Sequence, residues 1–144
     1  QSLNKTYELL GATKTRSEGT WGNNQTWAED YVKIMRFIVE DIHWITKTDA
    51  EYLLETMNPN DWSQLWGVGS QKDQTVFGKQ VQQVSVKNGW IQDETGTWYV
   101  NSVGVIQTED NTFSIALLSH GFNDVNIGYE VASTAVQAYF DHAG

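Results

Sequence analysis

The stretch VSVKNGWIQDETGTWYVNSVGVIQTEDNTFSIALLS, residues 84–119, decides how this chain folds. In and just before it, Lys79 to Ile91, Thr97 to Ile106 and Thr112 to Ser119 are rich in Val, Ile, Trp, Tyr and Phe, which fit a pleated, half-buried surface. The links Gln92 to Gly96 and Gln107 to Asn111 are short and polar, and links that short make neighbouring strands run antiparallel. The stretch therefore predicts a three-stranded meander.

On both sides of the meander the apolar period becomes helical. Tyr31, Ile34, Met35 and Ile38 recur at i, i+3, i+4 and i+7, and Thr26 with Glu29 has the spacing of a capping box that would start this helix. A second box, Thr48 with Glu51, opens a helix whose face is Ala50, Leu53, Leu54 and Met57, and Pro59 forbids its continuation. After the meander, Asp124 to Asp141 carries Ile127, Val131, Ala135 and Ala138 on one helical face, small enough in part to lie close on a sheet. The expected fold class is α+β: helices, then a three-stranded antiparallel meander, then a closing helix packed on the sheet. Residues 1–144 read as a single unit without internal repeats.

Composition narrows function. With 40% hydrophobic and 12% aromatic residues the chain has a globular balance. A formal charge of -9, with no cluster of Lys or Arg, repels phosphate backbones, so no nucleic-acid partner is expected. No apolar run reaches the roughly 20 residues that span a bilayer, and no signal-peptide pattern opens the chain, which reads as soluble and as a processed or truncated piece. Cysteine is absent, and His43, His120 and His142 stand far apart without a second ligand at metal spacing, so neither metal nor other cofactor is implied. Asp93-Glu94 and Glu109-Asp110-Asn111 lack the spacing of a calcium loop and read as hairpin tips.

One detail of the meander carries chemistry. An alternating run brings Lys87 to the far part of a strand and follows it with Asn88, Gly89 and Trp90. Lys87-Asn88-Gly89 resembles the Lys-Thr-Gly element of the class A β-lactamase and penicillin-binding-protein superfamily, found there on a strand beside a nucleophilic serine. The similarity extends to NNQTWAEDYVKIM (23–35), LWGVGS (65–70), WYVNSVGV (98–105) and FSIALLS (113–119), and so covers nearly the whole chain, as the carboxy-terminal part of a family member. The resemblance implies an incomplete β-lactamase/transpeptidase-like fold. It also implies serine acyl-transfer on β-lactams or D-alanyl peptidoglycan peptides, and a secreted or cell-envelope location.

By the same resemblance, the backbone N–H of Trp90 is an oxyanion donor, and Lys87 sets a positive potential for a substrate carboxylate and for proton transfer. Asn88, where the family commonly has Thr or Ser, would hydrogen-bond that carboxylate, and Gly89 would let substrate lie along the strand. The family's Ser-x-x-Lys and Ser-Asp-Asn elements lie upstream of the strand, and Ser2-Leu3-Asn4-Lys5 matches the first of them only formally. A terminal tetrapeptide with nothing before it to bury it reads as chance, so the chain is expected to be inactive alone, its partner a missing amino-terminal half of the same fold. The loop before the first long helix lacks the class A Glu-x-x-Leu-Asn pattern; Glu18 there reads as a solvated carboxylate. No Arg or Lys lies between Gly96 and Gln107 to hold a carboxylate. The alternative is a non-catalytic cell-wall or glycan-binding module that uses some of Trp21, Trp27, Trp44, Trp62, Trp66, Trp90 and Trp98 as a stacking platform.

Overall fold

A computed structural model describes residues 2–20, 22–40 and 44–143. Helix α1 (Leu3–Leu9) leads into a long loop, followed by α2 (Ala28–Val39) and α3 (Lys47–Thr56). Two 3-10 turns, Trp62–Gln64 and Gly67–Gln71, precede a small hairpin of β1 (Thr75–Val76) and β2 (Lys79–Gln80). Then come β3 (Gln83–Gln92), β4 (Trp98–Gln107) and β5 (Thr112–Phe122), and α4 (Val125–His142) closes the chain. The main sheet has the order β3-β4-β5 and is antiparallel throughout.

Alternation along β4 makes it the middle of three layers. Val103 and Val105 turn to one face and pack with Met35 of α2 and Leu54 of α3. On the other face Val100 meets Ala132 of α4 and Trp66, while Ile106 meets Val68 and α4's Val136 and Phe140. Each fully buried aliphatic side chain of this kind stabilises the fold by about 1.5–3 kcal/mol relative to exposure. Two glycines allow close approaches: a Cβ at Gly104 would overlap the Ser85 carbonyl of the neighbouring β3, and one at Gly128 would overlap the Val100 side chain beneath α4.

The structure shifts several boundaries read from sequence. The strand expected over Lys79 to Ile91 is two elements, because Phe77 and Gly78 (φ 47° and 75°) turn Lys79–Gln80 back onto β1. Conversely, β5 runs on past Ser119 to Phe122. Neither expected capping box forms. Trp27 is the N-cap of α2 and makes no side-chain cap bond, since the Thr26 hydroxyl pairs with that of Thr15 at 2.8 Å. The box of α3 is Thr46 with Asp49, two residues earlier than Thr48 with Glu51.

The buried face of α4 also differs. Gly128, Ala132, Val136 and Phe140 face the sheet, whereas Ile127 and Val131 are 52% and 45% exposed, and Ala135 and Ala138 are exposed too. The helix carries two adjacent apolar stripes, and the one that includes a glycine is the one that allows close contact with Val100. Among the described residues, no helix is long and apolar enough to cross a membrane.

The two strand glycines on the central and edge strands should respond differently to a methyl group. Gly104→Ala is expected to lower stability by about 1–3 kcal/mol, because the Cβ must displace backbone. Gly89→Ala, whose Cβ meets nothing within 4 Å, should stay within about 0.5 kcal/mol of the parent. Urea denaturation of both variants checks this.

Candidate active site

The orientation of β3 follows from one hydrogen bond. The Val86 N–H donates to the carbonyl of Met57 at 2.8 Å, away from β4. Because N–H direction alternates along a strand, the N–H groups of Asn88 and Trp90 also point to the side away from β4. Side chains alternate in the other sense. Lys87, Gly89 and Ile91 lie on the α2 side of the sheet, opposite Val103, Asn101 and Tyr99 of β4. Asn88 and Trp90 lie on the α4 side.

That alternation turns the Asn88 side chain toward the protein interior. Its side chain is buried: Nδ2 donates to the Gln64 carbonyl at 3.1 Å, and Oδ1 accepts from the Ser102 hydroxyl at 2.7 Å. The Ser102 oxygen in turn accepts from the Val68 N–H at 2.9 Å. Both ends of the amide are engaged within the protein, so Asn88 positions β3. The Trp90 indole packs edge-on against Trp66 and Tyr129, with centroids 6.0 and 5.8 Å away, and keeps 45% of its surface. Burial pushes the Tyr129 phenol pKa above its ordinary value, so the ring stays neutral at pH 7.

A groove of about 780 Å³ runs beside β3. One wall holds Lys87, Asn88, Gly89, Trp90 and Ile91, with Gln64 and Asn101; the other holds Ser17, Gly19, Thr20, Gly22 and Asn24, and Leu3 also borders it. Lys87 is the one charged side chain among these lining residues, on a chain of net charge -9. Its Nζ donates to the Asn88 carbonyl at 2.6 Å. Above Gly89 the space is open. Asn101, cross-strand from Gly89, has its Oδ1 occupied by the Ser119 N–H at 3.1 Å, which leaves Nδ2 as the donor end of its amide. A smaller cavity of about 250 Å³ beside Leu9, Leu10, Phe37 and Trp44 gathers no such chemistry, since its cations Lys33 and Arg36 are paired with Glu29 and Glu40.

The second wall is a compact loop with its own ties. Arg16 and Gln25 exchange backbone hydrogen bonds at 2.8 and 2.9 Å across its neck. Asn4 of α1 holds Ser17 through two bonds, accepting from its N–H at 2.6 Å and donating to its carbonyl at 3.2 Å. Below the neck sits Asp30, 1% exposed on α2. Its Oδ2 accepts from the Lys14 N–H at 2.8 Å and from the Thr15 hydroxyl at 3.0 Å, and Lys33 Nζ stands 3.5 Å from Oδ1. Burial works to raise the Asp30 pKa, but the bonds from Thr15 and Lys14 and the Lys33 charge together hold it below the ordinary carboxylate value.

Other sequence candidates fall outside this arrangement. Ser2 is the N-cap of α1, its hydroxyl accepting from the Lys5 N–H, so Ser2-Leu3-Asn4-Lys5 is a helix start; neither Ser2 nor Lys5 lines the groove. Glu18 is exposed and accepts from the Gln25 side chain at 2.9 Å. One Asp93 oxygen caps the β3–β4 hairpin, accepting from Thr95 and Thr97, and the Thr95 hydroxyl bond leads the effects that lower its pKa. Trp66 is buried, and the exposed Trp27, Trp44, Trp62 and Trp90 sit on different segments; Trp27 lies under Lys14 and Trp44 against Phe37. His43 and Trp21 lie outside the described residues.

Sequence reasoning missed Asn101, while the loop before α2 had been considered only for its Glu18. Asn101 was within reach: counting back across the short β3–β4 link places it opposite Gly89. Of that loop, Ser17, Gly19, Thr20, Gly22 and Asn24 line the groove, and Glu18 does not.

No protein-family model and no curated protein matches the chain. Among solved structures it is similar to PBP-A, with a TM-score of 0.63 and 18% identity, over 94% of this chain. The fold is penicillin-binding-protein-like. The chain spans 49% of the length of PBP-A, in keeping with an incomplete transpeptidase-like fold.

Asp30→Asn is expected to lower stability at neutral pH by about 1–3 kcal/mol, because a neutral amide serves the Lys14 and Thr15 donors poorly. A carboxylate whose folded pKa is depressed contributes stability above its unfolded value, near pH 4, and loses it as pH falls through the folded value. Thermal melts at pH 7 and pH 2.5 should therefore show the two proteins far apart at pH 7 and closer together at pH 2.5.

Proposed function

We propose that this chain is the strand-bearing half of a β-lactamase-like serine hydrolase that acts on β-lactams or D-alanyl peptidoglycan peptides at the cell-envelope exterior. The observation that carries the reading is the groove beside β3, where the Lys87 ammonium, an open glycine and N–H groups turned away from β4 share a wall within a penicillin-binding-protein-like fold. An extended acyl substrate lies along that edge as an added strand and takes main-chain hydrogen bonds. In this reading the Trp90 N–H, turned away from β4, is the donor to the carbonyl oxygen that gains charge, and Lys87 gives the anionic end of the substrate a positive potential. Asn101 Nδ2 adds a neutral donor on the strand where no Arg or Lys is present. The attacking serine belongs to upstream elements that Ser2-Leu3-Asn4-Lys5 does not supply, so the chain alone binds without turnover.

Titration of the chain with benzylpenicillin tests this by amide NMR and intact mass. Saturable shifts are expected at Gly89, Trp90 and Asn101 with no change in mass, and Lys87→Ala should weaken binding about 5–10-fold, the loss of one charge-assisted contact. A covalent adduct on Ser2 would make the chain a self-contained acyl-enzyme. Absence of these shifts, together with saturation of tryptophan fluorescence by soluble peptidoglycan glycan, would replace the reading with a glycan-binding module.

A further inference from the structure

Asn88 and Gly89 form the one Asn-Gly pair of the chain; every other asparagine precedes a residue with a side chain. The pair has its own chemistry, because a backbone nitrogen can attack the carboxamide of the residue before it and glycine has no Cβ to obstruct the approach. The Gly89 nitrogen forms a bond to Cγ of Asn88, the Cγ–Nδ2 bond breaks, and Nδ2 departs as ammonia with the proton that the Gly89 nitrogen gives up. Water then opens the resulting cyclic imide at either carbonyl. The product is aspartate or, with the chain rerouted through the side chain, isoaspartate.

The closed sheet blocks each step of this route. With the Val86 N–H turned away from β4, alternation turns the Gly89 N–H toward β4, opposite Asn101, so the attacking nitrogen is held in the ladder. The carboxamide is held at both ends, Oδ1 by the Ser102 hydroxyl at 2.7 Å and Nδ2 by the Gln64 carbonyl at 3.1 Å. Water is kept out, since Asn88 is 4% exposed. Yet β3 is an edge strand, and Gln64 ends a single 3-10 turn. Peeling β3 from β4 at this point frees nitrogen, amide and solvent path together, and such local openings need less free energy than global unfolding.

We propose that Asn88-Gly89 is a modification site gated by this joint: inert while the sheet is closed, and converted to aspartate or isoaspartate when β3 opens. Conversion makes the opening permanent. A carboxylate would replace a buried neutral amide and face the Gln64 carbonyl without a donor, a costly place for a charge, and the Lys87 side chain lies on the opposite face of the sheet. Isoaspartate also inserts one carbon into the backbone ahead of Gly89, which puts Gly89 and Trp90 out of step with Asn101 and Val100. The groove wall thus carries an irreversible off-switch whose rate follows how often β3 opens. This holds whichever ligand the groove takes.

The test incubates the 144-residue chain at mildly alkaline pH, folded in buffer and unfolded in guanidinium chloride, and follows residue 88 by peptide mapping. Conversion is expected to be about 100-fold or more slower in the folded chain. Gly89→Ala should nearly stop it in guanidinium, because a Cβ then obstructs the attack. Ser102→Ala, which removes the bond to Oδ1, should speed it about 10-fold in the folded state, the loss of one buried hydrogen bond. A thermal melt shows whether that variant is folded. If it is not, low guanidinium concentrations that leave the parent folded give the same reading, since conversion must rise in step with amide exchange at Gly89. The converted chain, separated from the parent, should exchange its Lys87 and Gly89 amides fast. Equal rates in the folded and unfolded chain, conversion out of step with Gly89 exchange, or a converted chain in which those two amides stay slow would each overturn the proposal. So would an unfolded chain that yields neither aspartate nor isoaspartate at residue 88.

Discussion

The contact on which the site depends is the buried hydrogen bond between Ser102 and Asn88. Through it β4 holds β3, and through the other Asn88 bond and the Val68 N–H the two strands hold the segment between Gln64 and Val68. Because side chains alternate, anchoring Asn88 inward obliges Lys87 and Gly89 to face the groove. Gly67 completes the joint: its φ of 58° and the absence of a Cβ let the turn close over the Ser102 side chain. A residue that resembles part of a substrate-binding triplet therefore works as the pin that aims its neighbours.

Placement of one ammonium gives the groove a local charge opposite to that of the chain. The chain carries a net charge of -9, and the groove wall next to β3 presents a lysine and no carboxylate. A lone lysine in a concave site can select an anionic ligand without the surface becoming basic, because the low-dielectric walls focus its field. Asn101 adds geometry but no charge. An anionic ligand would be held more by the strand edge than by ion pairing.

The meander, the closing helix and the α+β class were legible because their signals are local: β-favouring runs, short polar links and helical spacing. What failed was choice between equivalent local signals. Thr46-Asp49 and Thr48-Glu51 both fit a capping box, and sequence spacing does not say which threonine ends in extended backbone. Helix α4 offers two apolar stripes, and the deciding fact, room for Gly128 but not for a Cβ against Val100, is tertiary. At the site, Lys87, Gly89 and Trp90 were marked by motif, while the inward turn of Asn88 followed from register and the loop wall from contacts distant in sequence.

The two walls of the groove differ in what change they tolerate. Altering β3 disturbs the core, since its inward side chains are part of the packing between sheet and α4. The loop wall hangs from Asp30, the Arg16–Gln25 rung and Asn4, and Gly19, Thr20 and Gly22 at its tip lie beyond those ties. Residues at the tip can be exchanged, lengthened or made bulkier at little cost to folding. Ligand preference is then open to variation on one side of the cleft while the other stays constant, a division that suits selection or laboratory evolution of new specificities on an unchanged frame.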